Sequence, residues 1–261
     1  MKTLSLSFAC MGERIINLLS MLSQIPQIDN VSLSIYWQKP ITIKELNIPD
    51  HIKIFPIKSK GLSVSRNEAI TNEDTDFIWF LDDDVILTKK NIFSALSLIQ
   101  KDYIEFHRVK IGCIENDNLN YKKYRTLSVV RRVNLIQVSS IEIIADLNFI
   151  KNARIKFNEN IGLGTKYMGS EETHFLIDAW DKGAKFDFQD ITLVLHSCED
   201  DNRTLANYNI FEIRGATASR FGLVGGLLLL RWIFRYAFKY KKIKYIRALL
   251  KGFFRGYDYY K

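Results

Sequence analysis

The stretch FIWFLDDDVIL (residues 77–87) decides the fold of this chain. Its apolar side chains run without alternation up to residue 81 and end abruptly at Asp82, Asp83 and Asp84. A short apolar run without alternation is typical of a strand that is buried on both faces, as in an α/β sheet. Ligands of such sheets bind beyond the carboxyl ends of the strands, so this interpretation puts the three aspartates at a ligand crevice.

The segments around this run predict a sheet with interleaved helices. Before it, the patterns predict strands at 3–9, 31–37 and 51–57 and helices at 13–24 and after residue 61. After it, they predict helices at 91–100 and 171–182, strand-like runs at 108–114 and 126–146, and a buried strand at 191–197. Strands and helices that alternate in this way indicate an open α/β sheet rather than separate α and β regions.

The charge of the chain is concentrated at one end. Residues 214–261 contain 12 Lys/Arg and one acid, whereas the other 213 residues contain 37 − 12 = 25 basic and 29 − 1 = 28 acidic groups. This division predicts two regions with different roles, one over 1–213 and a basic tail over 214–261. It also excludes a protein whose whole surface is a basic nucleic-acid binder.

The cysteines predict no covalent framework. Cys10, Cys113 and Cys198 are odd in number and far apart, so we expect three reduced thiols. The N-terminus is interpreted as a strand, without the long apolar core of a signal peptide. Both observations favour a cytoplasmic protein.

Three groups of polar residues are candidates for chemistry. The aspartate triplet is either a solvated acidic turn or a carboxylate site for a divalent cation, which relieves the repulsion of like charges. Glu171 and Glu172 begin a predicted helix, and one of them is either an ordinary helix start or a general base. His196 ends a predicted strand and is either structural or a ligand.

The order of these features resembles the family 2 glycosyltransferases, inverting enzymes with the GT-A fold, of the bacterial surface-polysaccharide type. The stretches that carry the resemblance are GLSVSRNEAI (61–70), FIWFLDDDVIL (77–87), FNENIGLGTKYMGSEETHFLIDAWDKGAKF (157–186) and VLHS (194–197). The resemblance covers about residues 1–200. It implies a nucleotide-diphospho-sugar transferase with a Rossmann-like mixed sheet flanked by helices.

The resemblance also implies roles for individual residues. It places Asp82 against the nucleotide, Asp84 on a Mn²⁺ or Mg²⁺ ion at the diphosphate, and Asp83 in an assisting role. It makes Glu172 the catalytic base and His196 a further metal ligand. The pair Arg66 and Asn67 is expected to shape the pocket for the donor, which is a UDP-hexose or UDP-N-acetylhexosamine.

Two segments depart from the family pattern. FACMGE (8–13) replaces the usual run after the first strand, and Tyr36, Trp37 and Gln38 replace an acidic residue after the second. Gln38 is a candidate for pairing with the uracil edge through its amide. Trp37 either stacks on the base or belongs to the core.

The tail has several interpretations. Residues 222–234 are apolar but too short to span a bilayer, which takes about 20 residues. Basic and aromatic residues alternate over 232–254, which favours amphipathic helices on an anionic membrane surface. A helical cap on the catalytic domain, a protein-binding face and RNA binding are the alternatives.

Together these features predict a metal-dependent glycosyltransferase. Its expected acceptor is a glycan hydroxyl of a lipid-linked oligosaccharide, in surface polysaccharide synthesis at the inner face of the cell membrane. No nucleic-acid partner is expected, and a nucleotidyltransferase is disfavoured because FACMGERI is not a phosphate-binding loop. The alternative is a catalytically inactive sugar-nucleotide fold that acts as a membrane-surface binding module.

Overall fold

A computed structural model describes residues 1–41, 48–100, 103–116, 118–127, 129–199, 208–240 and 242–261, with the side chains of 237–240 excepted. In this part of the chain, seven strands form one sheet. They are β1 (Leu4–Met11), β2 (Val31–Gln38), β3 (Ile52–Ile57), β4 (Phe77–Asp82), β5 (Phe106–Cys113), β6 (Ile143–Asp146) and β7 (Phe186–His196).

The strand order explains why the carboxyl ends of several strands meet. The order is β3-β2-β1-β4-β6-β5-β7, and the first four of these strands are parallel. β6 is antiparallel to both of its neighbours, and β5 and β7 are parallel to each other. The predicted α/β class with a mixed sheet is therefore confirmed.

Helices cover both faces of the sheet. They are α1 (Ile15–Leu22), α2 (Leu62–Asn72), α3 (Lys89–Ile99), α4 (Leu147–Asn152), α5 (Glu171–Asp181), α6 (Tyr208–Ser219), α7 (Gly222–Tyr240) and α8 (Ile243–Arg255). One buried core packs α1 and α3 against the sheet, and a second packs α2, α4 and α5 against the other face. β4 contributes side chains to both cores, which accounts for its unbroken apolar sequence.

The segment 126–146 differs from its strand-like sequence. Only Ile143–Asp146 forms a strand, whereas Arg132–Gln137 and Ser140–Glu142 are 3₁₀ helices, and residue 128 lies outside the described part. Ser139 and Glu142 bond each other's backbone in a capping box, so local side-chain contacts replace strand pairing here.

The C-terminal helices pack closely against each other. α6 and α8 cross where Gly215 faces the backbone of Leu249 and Gly252 faces the backbone of Glu212. A Cβ atom at either glycine would overlap the opposing carbonyl, so this crossing requires glycine on both helices. Glu212, buried at the crossing, accepts ion pairs from Lys251 and Arg255 at 2.8 and 3.2 Å.

The following helix, α7, leaves an apolar stripe exposed. Leu223, Leu227, Leu230 and Phe234 are between 52% and 94% exposed and recur at helical spacing. No helix in the described ranges is both long and apolar enough to cross a bilayer. Residue 241 and the side chains of 237–240, which belong to the predicted amphipathic segment, lie outside the described residues.

Candidate active site

The aspartate triplet lies on a cleft at the carboxyl ends of the central strands. β4 ends at Asp82, which is in register with Ala9 of β1. The cleft has a volume of about 550 Å³. It is lined by Ala9, Cys10, Met11, Arg14, Gln38, Leu62, Ser65, Asp82, Asp83, Asp84, Leu163 and Gly164. The structure thus brings Gln38 and the three aspartates together at the edge that the sheet topology favours, whereas Arg66, Asn67 and His196 do not line this cleft.

Arg66 connects Asp82 to the start of α5. Its guanidinium lies 3.2 Å from the Asp82 carboxylate through Nη2 and 3.1 Å from Glu171 through Nη1. Nη2 also donates to Ser140 Oγ at 2.5 Å. Arg66 is only 3% exposed, so these contacts compensate a charge that water cannot reach. The expected nucleotide-binding aspartate and the expected base motif therefore share one buried cation.

Asp83 has a structural role in the first loop. Its carboxylate accepts the backbone N–H of Met11 at 3.1 Å and pairs with Arg14 at 3.0 Å. Burial raises the pKa of Asp83, although the charge of Arg14 and the Met11 bond oppose this. These contacts fix the segment that follows β1 against the triplet.

Asp84 and His196 contact each other beside the cleft. Nε2 of His196 lies 3.4 Å from Oδ1 of Asp84, and Nδ1 lies 2.9 Å from the carbonyl of Ser197. Partial burial opposes ionisation, but the hydrogen bond and charge of His196, with those of Arg14, lower the pKa of Asp84. The same hydrogen bond raises the pKa of His196 despite its burial.

This pair fits a divalent cation. If Nδ1–H donates to Ser197, Nε2 carries no proton and its lone pair faces Asp84, which is the tautomer that metal-binding histidines adopt. Adjacent ligands of an octahedral ion at about 2.1 Å lie about 3 Å apart, close to the observed spacing of Nε2 and Oδ1. The described residues contain no ready group of three His, Cys, Asp or Glu side chains around one point.

Gln38 and Trp37 are both engaged by the protein. The Gln38 amide donates to the Gly61 carbonyl at 2.6 Å and accepts the Gly61 N–H at 3.2 Å. It thereby holds Gly61, whose φ of +131° a side chain rarely adopts, at the start of α2. Trp37 is a core residue whose Nε1 donates to Gly12 at 2.8 Å. Gln38 lines the cleft, and its pairing with a base stays a prediction.

Asn67 fastens the loop that leads to α5. Its amide donates to the Phe157 carbonyl at 2.9 Å and accepts the Phe157 N–H at 2.8 Å. Ser63, one turn earlier on the helix, donates to Ile161 at 2.7 Å. Gly162 follows, and a Cβ there would approach Ser63 Oγ and the Glu171 side chain to 2.9 and 3.2 Å. Asn67 therefore shapes the site through the loop that closes the cleft.

Two adjacent glutamates start α5 with different environments. Glu171 is buried and paired with Arg66, whereas the neighbouring Glu172 is half-buried. Burial, and then the charge of Glu171, raise the pKa of the Glu172 carboxyl. A raised pKa lies closer to neutral pH, and a carboxylate is most effective as a general base when its pKa is near the operating pH. Glu172 is therefore the better of the two as a candidate base.

Comparison with known proteins places this site in a family. Residues 42–172, half of the chain, match the family model described as Glycosyl transferase family 2. The chain belongs to glycosyl transferase family 2. The matched range includes Arg66, Asn67, the aspartate triplet and Glu172, and it ends before His196. Among curated proteins, no sequence matches the chain.

Solved structures share the fold of this family 2 chain. The crystal structure of S. aureus TarS 1-349 matches with a TM-score of 0.59 and 14% identity, over 84% of this chain and 65% of that one. The structure of S. aureus TarS matches with the same score and identity over 83% of this chain and 39% of that one. The TarS 1-349 complex with UDP-GlcNAc matches with a TM-score of 0.58 and 13% identity, over 83% and 66%. This chain thus spans less than two thirds of the TarS chains it matches.

Arg14 is a site residue of the family 2 chain that sequence reasoning missed. It follows β1 and bridges Asp83 at 3.0 Å and Asp84 at 2.9 Å, while about half of its side chain stays exposed. Although FACMGERI is not a phosphate loop, its single cation lies directly at the triplet. The sequence signal for Arg14 is its place directly after the first strand, because ligands of a parallel sheet bind beyond the carboxyl ends of the strands.

The expectation of three reduced thiols is wrong, because Cys113 and Cys198 form a disulfide. Cys113 pairs with His196 in the register of β5 and β7, which brings Cys198, two residues later, within 5.3 Å between Cα atoms. Glu115 reinforces this turn by accepting the N–H of Cys198 at 2.9 Å. Cys10 is free and buried, as expected. The disulfide holds the loop directly after His196.

The tail of the family 2 chain packs on the helix that carries Glu172. His174 stacks on Tyr257 with ring centroids 3.8 Å apart and contacts Thr217 Oγ1 through Nε2 at 3.1 Å. Arg220 pairs with Asp178 at 2.6 Å. His174 is thus a structural residue, and part of the basic tail serves as a cap on the catalytic region.

Proposed function

We propose that this protein is a metal-dependent inverting glycosyltransferase. It moves a sugar from a nucleotide-diphosphate donor, a UDP-hexose or UDP-N-acetylhexosamine, to a hydroxyl of a lipid-linked glycan acceptor in surface polysaccharide synthesis. The observation that carries the proposal is the contact chain from Asp82 through Arg66 to Glu171, next to the candidate base Glu172. It supports a site in which one buried cation, Arg66, positions both the aspartate that binds the donor and the glutamate next to the base.

The donor side of the proposal rests on the cleft at the triplet. Asp82 is oriented by Arg66 and remains about one third exposed, so its free oxygen can accept a nucleotide hydroxyl. Arg14 is placed to contact the diphosphate once a metal compensates Asp84. The TarS 1-349 complex with UDP-GlcNAc has the same fold, which supports a UDP-sugar as the donor class.

Asp84 and His196 would hold the divalent ion, Mn²⁺ or Mg²⁺. When bound, such an ion neutralises the charge that develops on a nucleoside diphosphate leaving group. The residues of the chain supply its position: His196 is oriented by Ser197, and Asp84 is kept ionised by the hydrogen bond and charge of His196 and Arg14 despite its partial burial.

Glu172 performs the proton transfer in this proposal. Its carboxylate takes the proton of the acceptor hydroxyl while the hydroxyl oxygen bonds to the anomeric carbon. The bond from that carbon to the diphosphate breaks on the opposite face, and the electron pair leaves with the nucleoside diphosphate. One displacement of this kind converts an α-linked donor into a β-glycoside.

A panel of nucleotide sugars tests this function. Purified protein is incubated with Mn²⁺ and UDP-glucose, UDP-galactose and their N-acetyl derivatives, and the release of free UDP is measured. We expect release from one donor to exceed the others and to stop when the metal is removed by EDTA. UDP release that is equal with and without metal would remove metal dependence from the proposal.

Membrane association rests on α7. Its exposed leucines form one stripe, and Arg231 and Arg235 are exposed on the same helix. An amphipathic helix of this composition binds an anionic interface through apolar burial and charge attraction together. It would bring the cleft to a lipid-linked acceptor at the inner face of the cell membrane.

Point variants of the stripe test this better than truncation, because Tyr257 and Tyr260 pack against the catalytic region. Leu227→Asp with Leu230→Asp should abolish sedimentation with anionic phosphatidylglycerol vesicles. The matched control is Leu119→Asp, a similarly exposed leucine far from α7 in the sequence. Equal sedimentation of the double variant and the control would contradict the membrane assignment.

A further inference from the structure

A second cleft opens on the other half of the sheet. It has a volume of about 500 Å³ and lies between β5, β7 and residues 122–142. Among the described residues, it shares no lining residue with the cleft at the aspartate triplet. Its lining is strongly basic, with Arg108, Lys122, Lys123 and Arg125 against one acid, Glu142.

Arg108 is built into the floor of this cleft. Its guanidinium carbon lies 4.9 Å from the ring centre of Tyr124 and 4.5 Å from that of Phe188, so two aromatic rings fix its position. The residue is 7% exposed, and within the described chain its Nη1 is buried without a hydrogen-bond partner. A buried guanidinium donor without an acceptor is costly, which indicates that a ligand supplies the acceptor.

The charge balance of the cleft favours an anion. Lys122 is paired with Glu142 and also donates to Ser139 Oγ at 3.1 Å, so these two opposite charges compensate each other. Arg108 feels the charge of Glu142 but forms no ion pair within the described residues. Lys123 and Arg125 are exposed at the rim and form no ion pair within the described residues. Three cations that line one opening match the charge of a phosphate group.

Glu142 places a second requirement on the ligand of this cleft. Its Oε2 is held by Lys122, whereas Oε1 is buried and makes no hydrogen bond in the described part of the protein, although the hydroxyl of Tyr124 lies close to the carboxylate. A hydroxyl group of the ligand would donate to this oxygen. A ligand that satisfies both Arg108 Nη1 and Glu142 Oε1 therefore carries an acidic oxygen group and a free hydroxyl together.

The segment 139–142 connects the basic cleft to the candidate active site. Ser140 Oγ accepts from Arg66, the cation between Asp82 and Glu171, at 2.5 Å. The flanking residues Ser139 and Glu142 hold Lys122 on the side of the basic cleft. A ligand bound against this segment would lie next to the element that positions the expected base motif.

We propose that the basic cleft binds a phosphate ester that carries a free hydroxyl group, as a recognition group of the acceptor. The assignment to the acceptor rests on the proposed glycosyltransferase function, whereas the binding of the ester itself does not. Arg108, Lys123 and Arg125 contact the phosphate, and Glu142 accepts the hydroxyl.

Calorimetric titration with glycerol 3-phosphate tests the site. We expect binding to the wild-type protein that is at least about tenfold weaker in Lys123→Gln with Arg125→Gln, because two of three cations are lost. Both side chains are exposed, so the double variant should fold. Lys53→Gln with Lys90→Gln is the matched control, since it removes the same charge at two other exposed positions and should bind like the wild type.

Inorganic phosphate and glycerol are titrated in parallel. Weaker binding of both than of glycerol 3-phosphate supports the combined requirement for phosphate and hydroxyl. Equal affinity of the Lys123/Arg125 double variant and the Lys53/Lys90 control, or inorganic phosphate that binds as tightly as the ester, would overturn the proposal.

The same samples are titrated with UDP and Mn²⁺ to separate the two claims. Binding of UDP without binding of glycerol 3-phosphate overturns the ester site and leaves the proposed function standing. Binding of glycerol 3-phosphate without UDP binding supports the ester site and contradicts the proposed function.

Discussion

Asp84, in the turn after β4, and His196, the last residue of β7, face each other with 3.4 Å between Oδ1 and Nε2. Asp84 follows β4, and His196 ends β7 at the far edge of the sheet. The loop after β4 brings the two together through a bridge between Ile86 and Leu195, whose backbones exchange hydrogen bonds of 2.9 and 3.1 Å. Two candidate metal ligands from distant parts of the sheet thus meet beside the cleft at the triplet.

The first prediction concerns this pair. Asp84→Asn and His196→Gln should each weaken Mn²⁺-dependent UDP binding by at least about tenfold, because each removes a ligand of the ion. Calorimetry with and without Mn²⁺ measures the effect. Asp187→Asn, a change of charge on β7 away from the cleft, serves as the control. UDP affinity that is insensitive to Mn²⁺ in both the wild type and the variants would argue against the metal assignment.

The second prediction concerns pH. Burial and the charge of Glu171 raise the pKa of Glu172, and a base must be deprotonated, so turnover should rise with pH through a range above that of an ordinary glutamate. Glu171→Gln removes the like charge and therefore lowers the pKa of Glu172. The acidic limb of kcat/KM against pH should move to lower pH in this variant. A limb that stays in place or moves upward would show that another group controls it.

The third prediction concerns the crossing of α6 and α8. Gly252→Ala should lower the free energy of unfolding by about 1–3 kcal/mol, because the added methyl overlaps the carbonyl of Glu212. Gly226→Ala is the matched control, since its Cβ would meet no neighbour and alanine favours a helix by up to about 1 kcal/mol. Urea denaturation compares the two. Equal stability of both variants would contradict this close crossing.

The fourth prediction concerns the disulfide. Cys198→Ser should lower the free energy of unfolding by about 2–4 kcal/mol, since it releases a loop closed between Cys113 and Cys198. It should also weaken Mn²⁺-dependent UDP binding, because Cys198 holds the turn after His196. Cys10→Ser is the control, because it removes the free thiol and leaves the disulfide intact. Three thiols that react with a thiol reagent in the unfolded, unreduced protein would disprove the bridge.

The parts of the fold that sequence predicts are those set by local pattern. The apolar run that ends in Asp82 predicts a buried strand and the position of the cleft, because a strand buried on both faces needs apolar residues throughout. The helix that begins at Glu171 is predicted by its own periodicity and by Gly183 after its end. Family resemblance adds the roles of Asp84 and Glu172, which no local pattern specifies.

Other features depend on contacts that no local pattern contains. The disulfide results from the register of β5 against β7, and the role of Arg14 results from the neighbouring positions of β1 and β4. The packing of Tyr257 on His174 depends on how the C-terminal helices cross. Long-range contacts of this kind form only when the sheet and the helices assemble. The sequence pattern of a single segment therefore does not predict them.

The central claim is that Glu172 is the base of a sugar transfer, and Glu172→Gln tests it most directly. UDP-sugar binding, measured by calorimetry with Mn²⁺, and release of UDP on addition of the accepting glycan are compared with those of Glu68→Gln, a change at an exposed glutamate on α2. We expect unchanged donor binding and a loss of turnover of at least about a hundredfold in Glu172→Gln alone. Turnover close to that of the wild type would show that Glu172 is not the base.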